Sequence, residues 1–141
     1  MITKIQLRWS DFDALGHLYN GCYNSIYDIA QESFITTILG TPVPTHANLQ
    51  SKSEFLFPIK ASISVNYYCE VTPDMEVEVH SRVESIGNKS LTTFQQLRLT
   101  GSNTVLSDCR SVMVCVNMID RSTCAVPESW RESIFSEFGV K

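Results

Sequence analysis

One run of apolar residues dictates most of what this chain can become. Cys22, Tyr23, Ile26, Tyr27, Ala30, Phe34 and Ile38 recur three and four residues apart, the spacing of one helical face. Asn24, Ser25, Asp28, Gln31 and Glu32 between them are polar. Ile29, Ile35 and Leu39 widen the stripe beyond a coiled-coil seam, so more than one flank needs cover. The spacing predicts a helix from about Tyr19 to Leu39, stopped by Gly40 and Pro42. Everything else in the chain must supply that cover.

The rest of the sequence reads as strands. Ile5, Leu7 and Trp9 alternate with Lys4, Gln6 and Arg8, the pattern of a half-buried strand. Thr41 to Glu54 carries two prolines and little periodicity, and reads as a loop with room for a short helix. Alternation resumes at Ile59, Ala61, Ile63, Val65 and Tyr67. Thr72-Pro73-Asp74 turns the chain into Met75, Val77 and Val79. Gly87-Asn88 is a hairpin signal before the strand Ser90 to Thr100. Gly101-Ser102-Asn103 leads to a last strand, Thr104 to Ile119. Its continuous run Val112 to Val116 is expected where both faces are covered. Pro127-Glu128 opens a terminal helix to about Phe138, with Pro in the first turn. One long helix segregated from short-turn strands is an α+β architecture with an antiparallel sheet of about five strands. The width of the stripe favours a sheet that curls around the helix. Unpaired sheet edges invite a second subunit.

Length and charge exclude several functions. The 141 residues are expected to form one domain, 1–141, large enough for its own core. A net charge of −4, from 15 acidic and 11 basic side chains without a basic run, offers no footprint for nucleic acid or an anionic membrane. No apolar run reaches spanning length, and the start does not read as a signal peptide. Five cysteines without CxxC spacing suit free thiols in a cytoplasmic protein better than disulfides or a metal centre.

The candidate chemistry sits between the first strand and the helix, in Arg8 to Glu32. A loop bearing Asp11, Asp13 and His17 feeds a helix start whose first amides have no intrahelical acceptor. The ordinary role of such an aspartate is a cap. Asp11 and Asp13 could share a proton, raising one pKa, or Asp11 could shape the loop through backbone hydrogen bonds. His17 orients Asp13 or a substrate, or packs at the corner. Tyr23 and Tyr27 read as core residues whose hydroxyls could line a pocket, and Asp28 with Glu32 as a solvated face. Cys22, beside His17 and Asn20, hints at a nucleophile pair, but a cysteine inside an apolar stripe usually packs as a small hydrophobe.

The run Arg8-x-x-Asp11-x-Asp13-x-x-Gly16-His17-x-x-Asn20-x-x-Tyr23 resembles the hotdog-fold acyl-CoA thioesterases, in particular the 4-hydroxybenzoyl-CoA thioesterase-like group. Tyr67-Tyr68-Cys69-Glu70-Val71-Thr72-Pro73-Asp74 is similar to that group's turn, without its glycine. Ser85-Ile86-Gly87-Asn88-Lys89-Ser90-Leu91 is similar to its hairpin, and Val112–Val116 with Pro127 to its closing strand. The resemblance covers nearly the whole chain and fails in Thr41–Glu54. It implies a single hotdog domain, a sheet curled around one central helix, and hydrolysis of an acyl-CoA or acyl carrier protein thioester. It further implies active sites at a dimer interface of a homodimer or homotetramer, with coenzyme A as part of the substrate and no separate cofactor or metal. Asp13 matches the group's catalytic carboxylate, and Asn20 the place where helix amides face the thioester carbonyl.

Thioester hydrolysis needs a nucleophile or base at the carbonyl carbon and donors for the oxygen as it becomes anionic. Asp13 can fill the first role in either form. The amides near Asn20 and Gly21 can fill the second, aided by the helix dipole. Asp11 and His17 would support the site. Tyr23 would contact substrate, and Lys89 and Ser90 would contact the phosphates of coenzyme A, although an exposed lysine on a hairpin is unremarkable. The competing reading is a non-catalytic acyl-binding protein on the same fold. A hotdog dehydratase is disfavoured, because its own Asp/His arrangement has no counterpart here.

Overall fold

The computed structural model describes residues 1–40 and 54–141. The loop expected over Thr41–Glu54 lies, but for its last residue, outside the described residues. The elements are β1 (Ile2–Ile5), a 3-10 turn (Trp9–Asp11), α1 (Asn20–Leu39), β2 (Leu56–Tyr67), β3 (Val77–Ile86), β4 (Ser90–Leu99), β5 (Val105–Asn117) and α2 (Glu128–Phe138). No helix among the described residues is long and apolar enough to cross a membrane.

The five strands form one sheet in the order β1-β3-β4-β5-β2. β1 runs antiparallel to β3, with Ile2 opposite His80 and Ile5 opposite Val77. Short turns make β3–β4 and β4–β5 antiparallel hairpins. Phe55, just before β2, accepts from Met118 beyond the end of β5, while Tyr68, just after β2, donates to Leu106 near the start of β5. β2 is therefore antiparallel to β5 as well. The α+β class and the antiparallel five-stranded sheet follow the sequence pattern.

The described residues fall into two compact units. The first comprises Met1–Phe34, Ser64–Arg82 and Phe94–Arg110, the second Ile35–Ile63, Val83–Thr93 and Ser111–Lys141. In the first, Tyr23, Ile26, Tyr27 and Ala30 of α1 pack with Val77, Val79, Leu97, Leu106 and Cys109 from the strands, closed by Leu18 and Val71. Tyr27 is fully buried, and its hydroxyl donates to Ser107 Oγ at 2.8 Å. That partner removes the desolvation cost an unpaired hydroxyl would carry into the core. The Ser107 hydroxyl in turn donates to the Asn66 carbonyl at 2.8 Å, tying helix, β5 and β2 together. In the second unit, Ile35, Ile38, Val83, Leu91, Met113, Trp130 and Ile134 are buried.

Three expectations fail, each for a physical reason. The first strand ends at Ile5, and Trp9 is 85% exposed because the chain there tightens into the 3-10 turn. Ile29 is 54% exposed, so α1 is covered over less of its circumference than the stripe suggests. On β2, Ile59, Ile63 and Tyr67 are exposed, since among the described residues β2 is an edge strand with a neighbour on one side alone. In β5, by contrast, Val112 to Val116 alternates between buried and half-buried, consistent with cover on both faces.

Candidate active site at the start of the long helix

The loop between β1 and α1 is built by two aspartates with different environments. The Asp11 carboxylate is buried and held by Arg8 three times: by its backbone amide at 2.8 Å, by Nη2 at 3.0 Å and by Nε at 3.5 Å. Hydrogen bonds from the Arg8 side chain hold Asp11 below the usual carboxylate range, against the opposing effect of its burial. The Asp11 carbonyl accepts from Tyr19 at 2.8 Å, so Asp11 fixes both ends of the loop. The two carboxylates have different partners: the Asp11 oxygens accept from Arg8, whereas Asp13 Oδ1 accepts the amides of Leu15 and His17. Sequence reasoning assigns Arg8 no role within the motif; its R-x-x-D spacing is the signal that finds this pair.

Asp13 occupies the tip. A bridge between Phe12 and Leu18 closes the loop, and the Asp13 backbone donates to His17 and accepts from Gly16. Gly16 takes a positive φ of 78°, which a side chain would strain. Asp13 Oδ1 accepts the amides of Leu15 at 2.9 Å and His17 at 3.3 Å. Its Oδ2 has no partner among the described residues, and the residue is exposed. Asp13 therefore caps its own turn rather than α1, and leaves one oxygen available.

Beyond the loop, the Tyr19 carbonyl accepts the Cys22 amide at 2.8 Å, which starts α1. The amides of Asn20 and Gly21 donate to nothing among the described residues, as expected for a first turn. A Cβ at Gly21 would stand 2.6 Å from Tyr19 Cε1, so glycine there lets the Tyr19 ring lie against the helix start.

Two clefts flank this helix start. One, of about 250 Å³, is lined by His17, Asn20, Tyr23, Tyr67, Tyr68 and Glu70, among others. There His17 Nε2 meets Glu70 Oε2 at 2.8 Å, a contact between residues far apart in sequence that local spacing cannot reveal. The Tyr23 and Tyr67 rings stand edge to face at 4.8 Å. The Tyr68 hydroxyl donates to Asp108 Oδ2 at 2.6 Å, which with Asn66 on Oδ1 fixes that wall. The second cleft, of about 280 Å³, is lined by Arg8, Asp11, Cys22, Ser25 and Ile29 among others. Cys22 and His17 thus line different clefts. Burial, reinforced by the Asp11 charge, pushes the Cys22 thiol up. That is the opposite of what a cysteine nucleophile requires. Asp28 and Glu32 are exposed on α1, as a solvated face should be. Lys89 and Ser90 belong to the second unit, where Lys89 is exposed at the β3–β4 hairpin and Ser90 is half-buried.

The comparisons with known proteins agree with this architecture. The sequence profile of the thioesterase-like superfamily matches residues 7–134. The acyl-CoA thioester hydrolase YbgC of Escherichia coli is 24% identical over 126 residues, spanning 89% of this chain and 88% of that protein. A thioesterase-superfamily protein from Jannaschia sp. CCS1 superposes with a TM-score of 0.84 at 16% identity, over 98% of this chain and 92% of the other. A Thermus thermophilus thioesterase, solved with coenzyme A and zinc, gives a TM-score of 0.78 at 22% identity, over 98% and 93%. With a profile match that runs from the Asp13 loop through the long helix and the strands β2 to β5, this chain belongs to the thioesterase-like superfamily.

Proposed function

We propose that this protein hydrolyses acyl-CoA thioesters, using Asp13 as nucleophile or general base and the Asn20 and Gly21 amides as the oxyanion site. The observation that carries the reading is the division of labour on one short loop. Asp13 is fixed through Oδ1 and keeps Oδ2 free, and the same loop runs into a helix whose first two amides are unengaged. Asp11, bound to Arg8, keeps the loop in shape, and His17, bound to Glu70, stands at the cleft beside Asn20. Tyr23 contributes to that cleft. Lys89 and Ser90 are offered as contacts for the phosphates of coenzyme A.

As a nucleophile, Oδ2 adds to the thioester carbonyl, the C–S bond breaks, and the thiolate leaves to take a proton from solvent. Water then cleaves the resulting anhydride and restores the carboxylate. As a base, Asp13 takes a proton from the attacking water, and collapse of the adduct expels the thiol. Either route consumes one water and yields a carboxylic acid and a thiol. In both, the amides meet the oxygen at its most negative, where a preorganised donor is worth most.

A non-catalytic acyl-binding role is the second reading, favoured by the two amide bonds that already engage Asp13 Oδ1 as a turn cap. A carrier-protein thioester in place of acyl-CoA is a variant of the first. Thiol release from a panel of aliphatic and aromatic acyl-CoAs separates the classes. Turnover of at least one substrate, lowered ~10²–10⁴-fold in Asp13→Asn, is expected; saturable binding without turnover across the panel would favour the binder.

A further inference from the structure

Cys115 and Cys124 belong to the second unit, and the Asp13 loop and the helix start to the first. Cys115 is in β5, and Cys124 is on the segment that returns from it. Val116 and Thr123 form an antiparallel bridge, so one step along the same register Cys115 and Cys124 stand opposite each other. The Cys124 amide donates to the Cys115 carbonyl at 3.0 Å, and the two sulfurs are 3.3 Å apart. Opposed residues of an antiparallel pair have Cα atoms about 4.5–5.5 Å apart. Disulfides span Cα separations of about 4.4–6.8 Å, a range that contains this one. Both segments are also held from the side: the Cys115 amide donates to the Lys89 carbonyl and the Val126 amide to the Asn88 carbonyl, each at 2.8 Å. Bond formation therefore needs the sulfurs to close up and little backbone movement.

We propose that Cys115 and Cys124 are an oxidative modification site that takes a low-molecular-weight disulfide, RSSR, and becomes an intramolecular disulfide. The half-buried Cys124 reacts first. Its thiol gives up a proton, the thiolate attacks one sulfur of RSSR, and a Cys124–S–S–R mixed disulfide forms as one RSH is released. Cys115 then loses its proton and attacks the Cys124 sulfur, expelling the second RSH. Two protein thiols and one RSSR become one protein disulfide and two RSH, with two electrons passing to R. Burial sets this order: it raises the Cys115 thiol to about 12, the neighbouring Cys124 adding to the effect. Cys115 is thereby a poor first nucleophile, but it sits in contact with the sulfur it must attack.

Oxidised glutathione is the probe. The reduced protein is incubated with it, quenched in acid, alkylated in denaturant and mapped by mass spectrometry. The peptide bearing Cys115 should be joined to the one bearing Cys124, and dithiothreitol should separate them. Closing this short loop should raise Tm by on the order of 5–10 °C. In Cys124→Ser, whose reduced far-UV circular dichroism should match wild type, both the cross-link and the Tm rise should vanish. Full alkylation of both thiols after prolonged oxidation would overturn the proposal, as would a mixed disulfide that persists on Cys124. A Tm rise that survives in Cys124→Ser would overturn it too.

Discussion

Asp11 and Asp13 are two residues apart, yet both carboxylate oxygens of Asp11 are engaged by Arg8 while Asp13 keeps one oxygen open. The substitution to asparagine separates their roles. Asp13→Asn should lower kcat by ~10²–10⁴-fold on a good acyl-CoA, with Tm nearly unchanged, because the amide oxygen still caps the turn but neither attacks a carbonyl nor takes a proton. If turnover survives at the wild-type level, Asp13 is a cap alone. Asp11→Asn should cost far less in kcat and should instead alter the pH dependence of stability. A carboxyl held below its unfolded value contributes stability that is complete above about pH 4 and is lost as pH falls through the folded value. The acid limb of Tm against pH should therefore be shallower in Asp11→Asn than in wild type, and an unchanged slope would count against the Arg8 pairing. Asp74 and Asp120 also lie below the usual range, through Thr72 and Ser122, but they remain in both proteins. The motif makes Asp13 legible in the sequence; the Glu70 partner of His17 is not, because only the tertiary contact brings them together.

The helix start offers a cleaner test of the oxyanion site than any side chain, because the proposed donors are backbone amides. Proline is tolerated at the first helical position, where its missing N–H had no intrahelical acceptor. Asn20 is that position, and the residue before it lies outside the helix. Asn20→Pro should keep the fold and lower kcat by ~10²–10³-fold if its amide meets the developing charge. Asn20→Ala, which keeps the amide, should retain most of the rate; equal rates for the two variants would remove this amide from the mechanism. The elements themselves are largely legible. Periodicity locates α1 and the four long strands to within a few residues, since period 3.6 and period 2 report directly on which side chains share a face. Periodicity does not report what covers a face, and this is where Ile29 and the apolar side of β2 depart from expectation. Trp9 fails differently: alternation continues in sequence past the point where the Arg8–Asp11 bonds turn the backbone out of the strand.

At the scale of the molecule, the sheet ends in two unequal edges. β1 has four residues, while β2 has twelve and among the described residues runs beside β5 alone. Ile59, Ile63 and Tyr67 share one face of β2 and are 38%, 39% and 52% exposed. A long edge with apolar side chains is an open template for a second strand, and single chains normally blunt such edges. Here Pro58 is near its start and Lys60 follows, but from Ala61 to Tyr67 no proline or charge interrupts it. Two copies related by a two-fold axis would satisfy the β2 edge of each with one self-complementary contact. We therefore expect a symmetric homodimer, or a tetramer made from two such dimers, with β2 in the contact. Multi-angle light scattering at micromolar concentration should give a multiple of the 15.9 kDa chain mass. Ile63→Lys should shift that mass toward the monomer, because a lysine in the centre of the contact must either lose water or break the pairing. Its far-UV circular dichroism should stay native, since Ile63 is not part of the buried core. A wild-type protein that runs as a stable monomer would overturn this expectation, and an Ile63→Lys oligomer as firm as wild type would move the contact away from β2.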